Sequence, residues 1–377
     1  MKKICYVTTI PNTFDFFKSQ MDFLAKNGYE VYAICSNSDK ASEHISENAR
    51  FIPIDISRGI SPITLIKSVS QLKKIFSKHN FDIVQYSTPN AAFVASIAAK
   101  LALVKIRNYH LMGFRYLGEQ GFLRLVLKLI EKVTCKNSTH IECVSKSNLE
   151  FGIEEKIFKP EKATIVWNGS SGGIDLKRFD ISKKQEWRKV IREELGCTDE
   201  DFLFGFVGRI TRDKGINELF SAFSQISNPA KLLVIGAAEG IDTLDKNLYD
   251  KAKNSCNIIF HNSVADIEKY FAALDVLVLP SYREGFGNVV IEAAAMGIPA
   301  IISNIPGPID AVIPDKTAKL VEVKNVSSLK LAMENMLNDR NCVLEMSDNA
   351  YDFVLNHFDS DKLNEKILER KRGMVGK

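Results

Sequence analysis

The stretch DVLVLPSYREGFGNVVIEAAAMGIPA, residues 275–300, decides how the chain is read. After Asp275 it is apolar for four residues and stops at Pro280, as a short buried strand does. Residues 288–296 are apolar or small on nearly every face, so they read as a helix packed against a sheet. Gly297 suits the position just past the helix end, and Pro299 prevents continuation. The loop between strand and helix holds Glu284, Gly285, Phe286 and Gly287. Glu284 precedes the helix and Glu292 lies more than one turn inside it. At ~1.5 Å rise per helical residue, the two carboxylates stand several ångströms apart on one rim of the strand's carboxyl end.

The same alternation extends in both directions. Strand-like runs at 3–7, 30–35, 51–54, 83–86, 105–110, 140–144 and 163–166 alternate with helical runs at 16–27, 63–78, 91–103 and 122–136. A Gly- and Ser-rich segment, NGSSGGIDLKRFD at 168–180, interrupts the pattern, and a charged segment, 183–194, follows it. Strand-like runs then resume at 202–207, 232–235, 257–260, 276–279, 300–302 and 320–321. Near-continuous apolar strands alternating with helices imply parallel sheets covered on both faces. The expected class is α/β: two doubly wound parallel-sheet, Rossmann-like domains, 1–180 and 181–360, facing each other across a cleft. The terminal helix, 361–377, has no sheet of its own to complete and is expected to pack toward the first domain. Ligands of such sheets bind outside the carboxyl ends of strands, so the chemistry belongs in the loops that follow them.

Bulk properties exclude several classes. The net charge of +4 is unevenly spread: residues 1–180 carry 25 Lys+Arg against 17 Asp+Glu, and the remainder 25 against 29. The basic half fits either solvated lysines or contact with an anionic surface. So small a charge without a recognised module speaks against nucleic-acid binding. The seven cysteines are odd in number and form no CxxC, which argues against a disulfide framework or a zinc site and fits a reducing cytosol. MKKICYVTTIPN at the start reads as a first strand rather than a signal peptide. No uninterrupted apolar run reaches the roughly 20 residues of a bilayer span.

After the strand at 202–207 comes GRITRDKGINEL, 208–219. Gly208 and Gly215 permit a tight turn, and the next helix offers free amides and its positive dipole end. Arg209 and Lys214 beside that terminus suit a diphosphate; the plain alternative is a solvated basic turn. GxxxxGK[ST] is absent, and VIGAAEG at 234–240 has Gly236 and Gly240 without GxGxxG spacing, so neither a Walker loop nor a dinucleotide fingerprint is present. Glu284 and Glu292 suit a ligand with two hydroxylated parts, each donating to a carboxylate. The alternatives are a carboxylate complementing a helix dipole for Glu284 and a narrow solvated face for Glu292. A nucleotide sugar, with its hexose, diphosphate and ribose, meets all four side chains.

Together these elements resemble the E-x7-E signature of the family 4 glycosyltransferases, retaining enzymes of the GT-B fold. GRITRDKG resembles that family's second element, and FHNSVADIEKYFAALDVLVLPSYREGFG at 260–287 its connecting block. VSKSN at 144–148 and Asn168, Gly169 and Phe179 resemble its interdomain region. The match covers residues 140–330 well and the first half in outline. The resemblance implies that Arg209 and Lys214 hold the donor diphosphate and that Glu284 contacts hydroxyls of the transferred sugar. It also implies that Glu292 accepts from the ribose, while Gly208, Gly236, Val264, Gly285, Phe286, Gly287 and Asn288 line the substrate. His110 is the candidate for the family's active-site histidine, though it stands three residues before Gly113 rather than directly before a glycine. The first loop, TTIPNTFDFF at 8–17, lacks the family's usual glycine pair. No DxD pair ends a strand, so no metal and no cofactor are expected; the UDP-sugar is a substrate.

The whole chain looks most like bacterial transferases of capsule, O-antigen or lipid-linked glycan assembly. They use UDP-N-acetylhexosamines and polyprenyl-diphosphate-linked acceptors. In 114–136, Arg124, Lys128, Lys132 and Lys136 form one stripe beside Leu125, Leu129 and Val133. That pattern fits an ordinary outer helix, or one lying on the inner face of the cytoplasmic membrane. The competing functions are a UDP-N-acetylhexosamine epimerase of GT-B fold and a non-catalytic nucleotide-sugar-binding subunit.

Overall fold

The computed structural model describes residues 1–56, 62–226 and 230–376. The chain forms two compact units: Met1–Gly172 with Ser360–Lys377, and Gly173–Asp359. In the first, β1 (Lys2–Val7), β2 (Tyr29–Cys35), β3 (Ala49–Pro53), β4 (Ile83–Tyr86), β5 (Ile106–Leu111), β6 (His140–Cys143) and β7 (Ala163–Ile165) form one sheet. Its order is β3-β2-β1-β4-β5-β6-β7, and every pair is parallel. The second holds β8 (Phe202–Val207), β9 (Ala230–Ile235), β10 (Ile258–His261), β11 (Val276–Leu279), β12 (Ala300–Ser303) and β13 (Ala318–Val321). Their order is β10-β9-β8-β11-β12-β13, again all parallel.

Whereas β4, β5 and β6 of the first sheet also carry Gln85, Asn108, His110 and Glu142, the strands of the second are largely apolar, because both faces of a sheet flanked by helices are covered. Alternation along β1 shows how: Cys5 and Val7 enter one core with Leu72, Phe76 and the alanines of the helix Pro89–Leu101. Ile4 and Tyr6 enter the opposite core with Phe14, Phe17, Met21 and Leu24. Leu368 and Met374 of the helix Ser360–Val375 belong to that second core, so the last helix completes the first unit. It is pinned by charge as well. Lys371 Nζ donates to Gln85 Oε1 and Glu142 Oε2, both at 2.7 Å, and Asn108 Nδ2 donates to the same two acceptors at 3.0 and 2.8 Å.

Several expected boundaries move. The division falls at Gly172–Gly173, not at 180, because Ile174 N–H already donates to Phe358 O at 2.7 Å and Phe179 packs on Phe271 within the second unit. The run expected as one helix over 16–27 is a 3-10 turn, Pro11–Phe16, followed by the helix Lys18–Lys26. The charged segment 183–194 is a helix, Lys184–Glu194, whose Arg188 and Arg192 clasp both oxygens of Asp275 at 2.6 and 2.7 Å. That clamp fixes the start of β11, and the same carboxylate accepts from Leu203 N–H of β8 at 2.7 Å.

Candidate functional site

In the six-stranded sheet β8 pairs with β9 on one side and β11 on the other, so the chain leaves β8 and β11 in opposite directions. The crevice at their carboxyl ends is therefore the topological switch point, where ligands of doubly wound sheets bind. Two loops fill it. One runs from Gly208 to Gly215 after β8, the other from Pro280 to Gly287 after β11.

Glycine is what lets these backbones touch. A Cβ on Gly215 (φ 72°) would stand 2.1 Å from Pro280 O, and one on Gly236 (φ 151°) 1.9 Å from Gly208 O. The tips of β8, β9 and β11 thus meet main chain to main chain. Tyr282 N–H donates to Asp213 O at 2.8 Å, and Arg283 Nη2 pairs with Asp213 Oδ2 at 2.8 Å. Burial pushes the Asp213 carboxyl up. The Thr211 hydroxyl and the Arg283, Arg209 and Lys214 charges outweigh it and hold the acid below its ordinary range.

Lys214 Nζ pairs directly with Glu284 Oε1 at 2.5 Å, and Ser281 Oγ donates to the same oxygen at 2.8 Å. Their side chains are 17% and 14% exposed, so the couple faces solvent without projecting into it. The cation and the carboxylate assigned to different parts of one ligand are thus in direct contact with each other. Arg209 is exposed beside them. The helices Ile216–Phe223 and Asn288–Ala295 start on Gly215 and Gly287, neither of which supplies a capping side chain. Asn288 is half-buried in the first turn of the second helix. The Phe286 ring is buried against Phe358 at 5.3 Å between centroids, so this residue presents backbone to the crevice. Gly285 carries no positive φ; the turn strain falls instead on Gly287 (φ 89°) and Gly307 (φ 107°). A Cβ on Gly307 would lie 2.7 Å from Glu284 O.

Glu292 is half-buried on its helix. Burial raises its carboxyl to about 7; Arg178 lowers it and Glu268 raises it further. Arg178 is itself engaged with Glu268 at 2.9 Å. Val264 is half-buried in the connection after β10. His110 belongs to the first unit, near the end of β5. Its ring meets Phe17 edge-on at 5.0 Å, and Nε2 has no hydrogen-bond partner among the described residues. Burial lowers its pKa to about 4; Glu142 opposes that and Lys371 adds to it. The imidazole is therefore neutral at physiological pH. At the first sheet's own switch point, between β1 and β4, Thr9 N–H donates to Thr88 Oγ1 at 3.1 Å, and Thr88 adopts φ 63°.

Ser281, Asp213, Arg283, Gly307, Arg178 and Thr88 were not singled out from the sequence. For Ser281 the signal was available, three residues before Glu284. Asp213 stands inside the basic loop and was passed over for its cationic neighbours. Arg178 is 90 residues from Glu268, and no local pattern links them.

Residues 188–353 match the family model described as glycosyl transferases group 1, and residues 3–145 match that described as glycosyl transferase 4-like. The chain is 30% identical over 372 residues to the capsular polysaccharide biosynthesis glycosyltransferase CapM of Staphylococcus aureus, covering 97% of this chain and 96% of that one. It is 28% identical over 369 residues to the UDP-Gal:alpha-D-GlcNAc-diphosphoundecaprenol alpha-1,3-galactosyltransferase of Escherichia coli, covering 94% and 92%. The structure of a sucrose-phosphate synthase from Thermosynechococcus elongatus shares the fold with a TM-score of 0.83 at 19% identity, over 100% of both chains.

Proposed function

The chain belongs to the group 1 glycosyl transferases and has the GT-B fold; from that premise we propose that it moves a sugar from a UDP-sugar to a polyprenyl-diphosphate-linked saccharide during surface polysaccharide assembly, with the donor's configuration retained. The observation that carries this reading is the Lys214–Glu284 couple at the β8/β11 switch point. A diphosphate entering the crevice competes for Lys214, and a hexose hydroxyl replaces the ammonium as the donor to Glu284. Both charged groups are then satisfied by one ligand. Negative charge grows on the diphosphate as its bond to the anomeric carbon breaks. Lys214, Arg209 and the amides opening the helix Ile216–Phe223 stabilise that charge more in the transition state than in the ground state. Glu284 binds the sugar and is not the nucleophile. Glu292 accepts from the ribose hydroxyls, and His110, a neutral ring in the first unit, is the candidate active-site histidine.

The reading needs no metal ion, since the cations of the loop after β8 take the leaving charge. For the donor we favour a UDP-N-acetylhexosamine, with UDP-galactose as the competitor that the Escherichia coli relative's name supplies. That relative's name also supports a diphosphoundecaprenol-linked acceptor. Among the described residues no helix is long and apolar enough to cross a membrane. The helix Gly121–Asn137 nonetheless leaves Phe122 81% exposed, with Leu125 and Leu129 exposed along the stripe beside that of Arg124. An amphipathic helix of this kind supports peripheral contact with the inner face of the cytoplasmic membrane, where a polyprenyl acceptor resides.

The test is a donor screen by mass spectrometry with a polyprenyl-diphosphate sugar as acceptor, on the wild type and on Glu284→Ala. Transfer is expected from one UDP-sugar and is expected to vanish in the variant while the unfolding curve stays in place. Full activity of Glu284→Ala would overturn the assignment.

A further inference from the structure

Five lysines, Lys132, Lys136, Lys156, Lys159 and Lys162, line one cavity of about 530 Å³ in the first unit. Lys132 and Lys136 come from the last turns of the helix Gly121–Asn137. The other three come from the segment that leaves the helix Lys146–Glu154 and enters β7. Lys162 directly precedes β7, and Lys136 stands four residues before β6, so the cavity lies at the amino ends of these strands. It is thus at the pole of the sheet opposite Thr9, Thr88 and the end of β5 that carries His110.

None of this charge is held in a direct ion pair, although the Glu155 carboxylate feels the Lys132 charge. Among the described residues no carboxylate lies within ion-pairing distance of any of the five. The nearest cation on the same stripe, Lys128, already has Glu155. Lys162 is half-buried, and its Nζ donates only to main-chain carbonyls, Ser138 O at 2.9 Å and Lys136 O at 3.4 Å. Burial, Arg107, Lys159 and Lys100 all depress its pKa, and only the buried Cys135 opposes them. The walls between the lysines are apolar, from Ile153, Ile157 and Phe158. Helix dipoles account for a lysine at a helix end, such as Lys136, but not for five cations gathered around one partly apolar hollow. A cleft lined by one sign of charge focuses its field and concentrates the opposite ion.

We propose that this cavity is a binding site for a multivalent phosphate anion, distinct from the sugar-nucleotide crevice of the second unit. Lysine ammoniums meet phosphate as movable point charges, which suits a hollow with donors on several sides. The anion is either a free phosphate compound or the headgroup of an anionic phospholipid. The site does not depend on the glycosyl-transfer reading, and three of its lysines lie outside the membrane-facing helix.

Inorganic pyrophosphate is titrated by calorimetry into Arg209→Ala/Lys214→Ala protein, which removes the crevice cations. Co-sedimentation with phosphatidylglycerol vesicles is measured in parallel. Each is repeated with Lys156→Gln/Lys159→Gln/Lys162→Gln added, and with the exposed pair Lys156→Gln/Lys159→Gln alone in case Lys162 is needed for folding. Pyrophosphate binding that weakens about tenfold or more in the cavity variants establishes the site with a free phosphate as ligand. Vesicle binding that weakens likewise, without pyrophosphate binding, establishes it with a headgroup as ligand. Absence of both, or binding that the cavity variants leave unchanged, overturns the proposal.

Discussion

Lys214–Glu284 and Lys371–Glu142 are both lysine–glutamate pairs of nearly equal contact length, 2.5 and 2.7 Å, and their surroundings give them opposite roles. The second lies inside the first unit, 1% and 4% exposed, with Lys371 also donating to Gln85 Oε1 and Asn108 Nδ2 donating to Glu142 Oε2. Burial pushes the Glu142 carboxyl up, but the Lys371 charge and the Asn108 amide outweigh it and hold the acid below its ordinary range. The first lies at a strand tip where solvent, or a ligand, can substitute for either partner. Two charges taken fully out of water are tolerable only together, whereas a pair in contact with water adds little to stability. The length of an ion pair therefore says nothing of its role; what could replace each partner says most of it.

The largest effect that separates the two is in stability. Lys371→Ala leaves the buried Glu142 without its hydrogen-bonded cation, with only Arg370 Nε at 3.7 Å, and is expected to cost about 3–5 kcal/mol in urea unfolding. Glu142→Leu combined with Lys371→Met should lose much less, since no charge is then left alone. An unchanged midpoint for Lys371→Ala would erase the distinction. Lys214→Ala is expected to shift the unfolding free energy by no more than ~1 kcal/mol. Its turnover should fall roughly 10²–10³-fold, the scale of one lost transition-state donor at about 2.7–4 kcal/mol. If stability rather than turnover collapsed, the tip pair would be an anchor too.

A finer contrast uses pH. Because the fold raises the Glu292 carboxyl to about 7, its protonated form is the one the fold favours. That contribution to stability is full below the ordinary carboxylate range and is lost as pH rises through about 7. Donor binding runs the other way, since only the carboxylate accepts from two hydroxyls. Donor kcat/KM should rise between pH 6 and 8 and lose that rise in Glu292→Gln. The smallest expected effect is that of a chelator, which should leave turnover unchanged if the leaving diphosphate is held by Arg209 and Lys214 alone.

What the sequence disclosed follows from how far apart the cooperating residues are. The run Phe202–Val207 is legible because a strand buried on both faces must be apolar throughout, and the glycines at 208, 215 and 287 because their backbones turn where a side chain would clash. The Lys214–Glu284 contact spans 70 residues and Lys371–Glu142 spans 229, so neither leaves a local pattern. The segment 183–194 reads only as a charged run, and its charge density hides that Arg192 is almost wholly buried on Asp275. The helices Val326–Asn338 and Arg340–His357 were not read at all. Only Asp339 stands between them, so no turn signal separated one periodic run from the next.

The return of Ser360–Val375 to the first unit makes the second an insertion within it. During synthesis, every residue of the second unit emerges from the ribosome before the first unit has its last helix. The unit that opens the chain is thus the one that closes last, with Glu142 awaiting a cation made 229 residues later. A ribosome that stopped at residue 365 would release a finished second unit attached to a sheet whose core still lacks Leu368 and Met374.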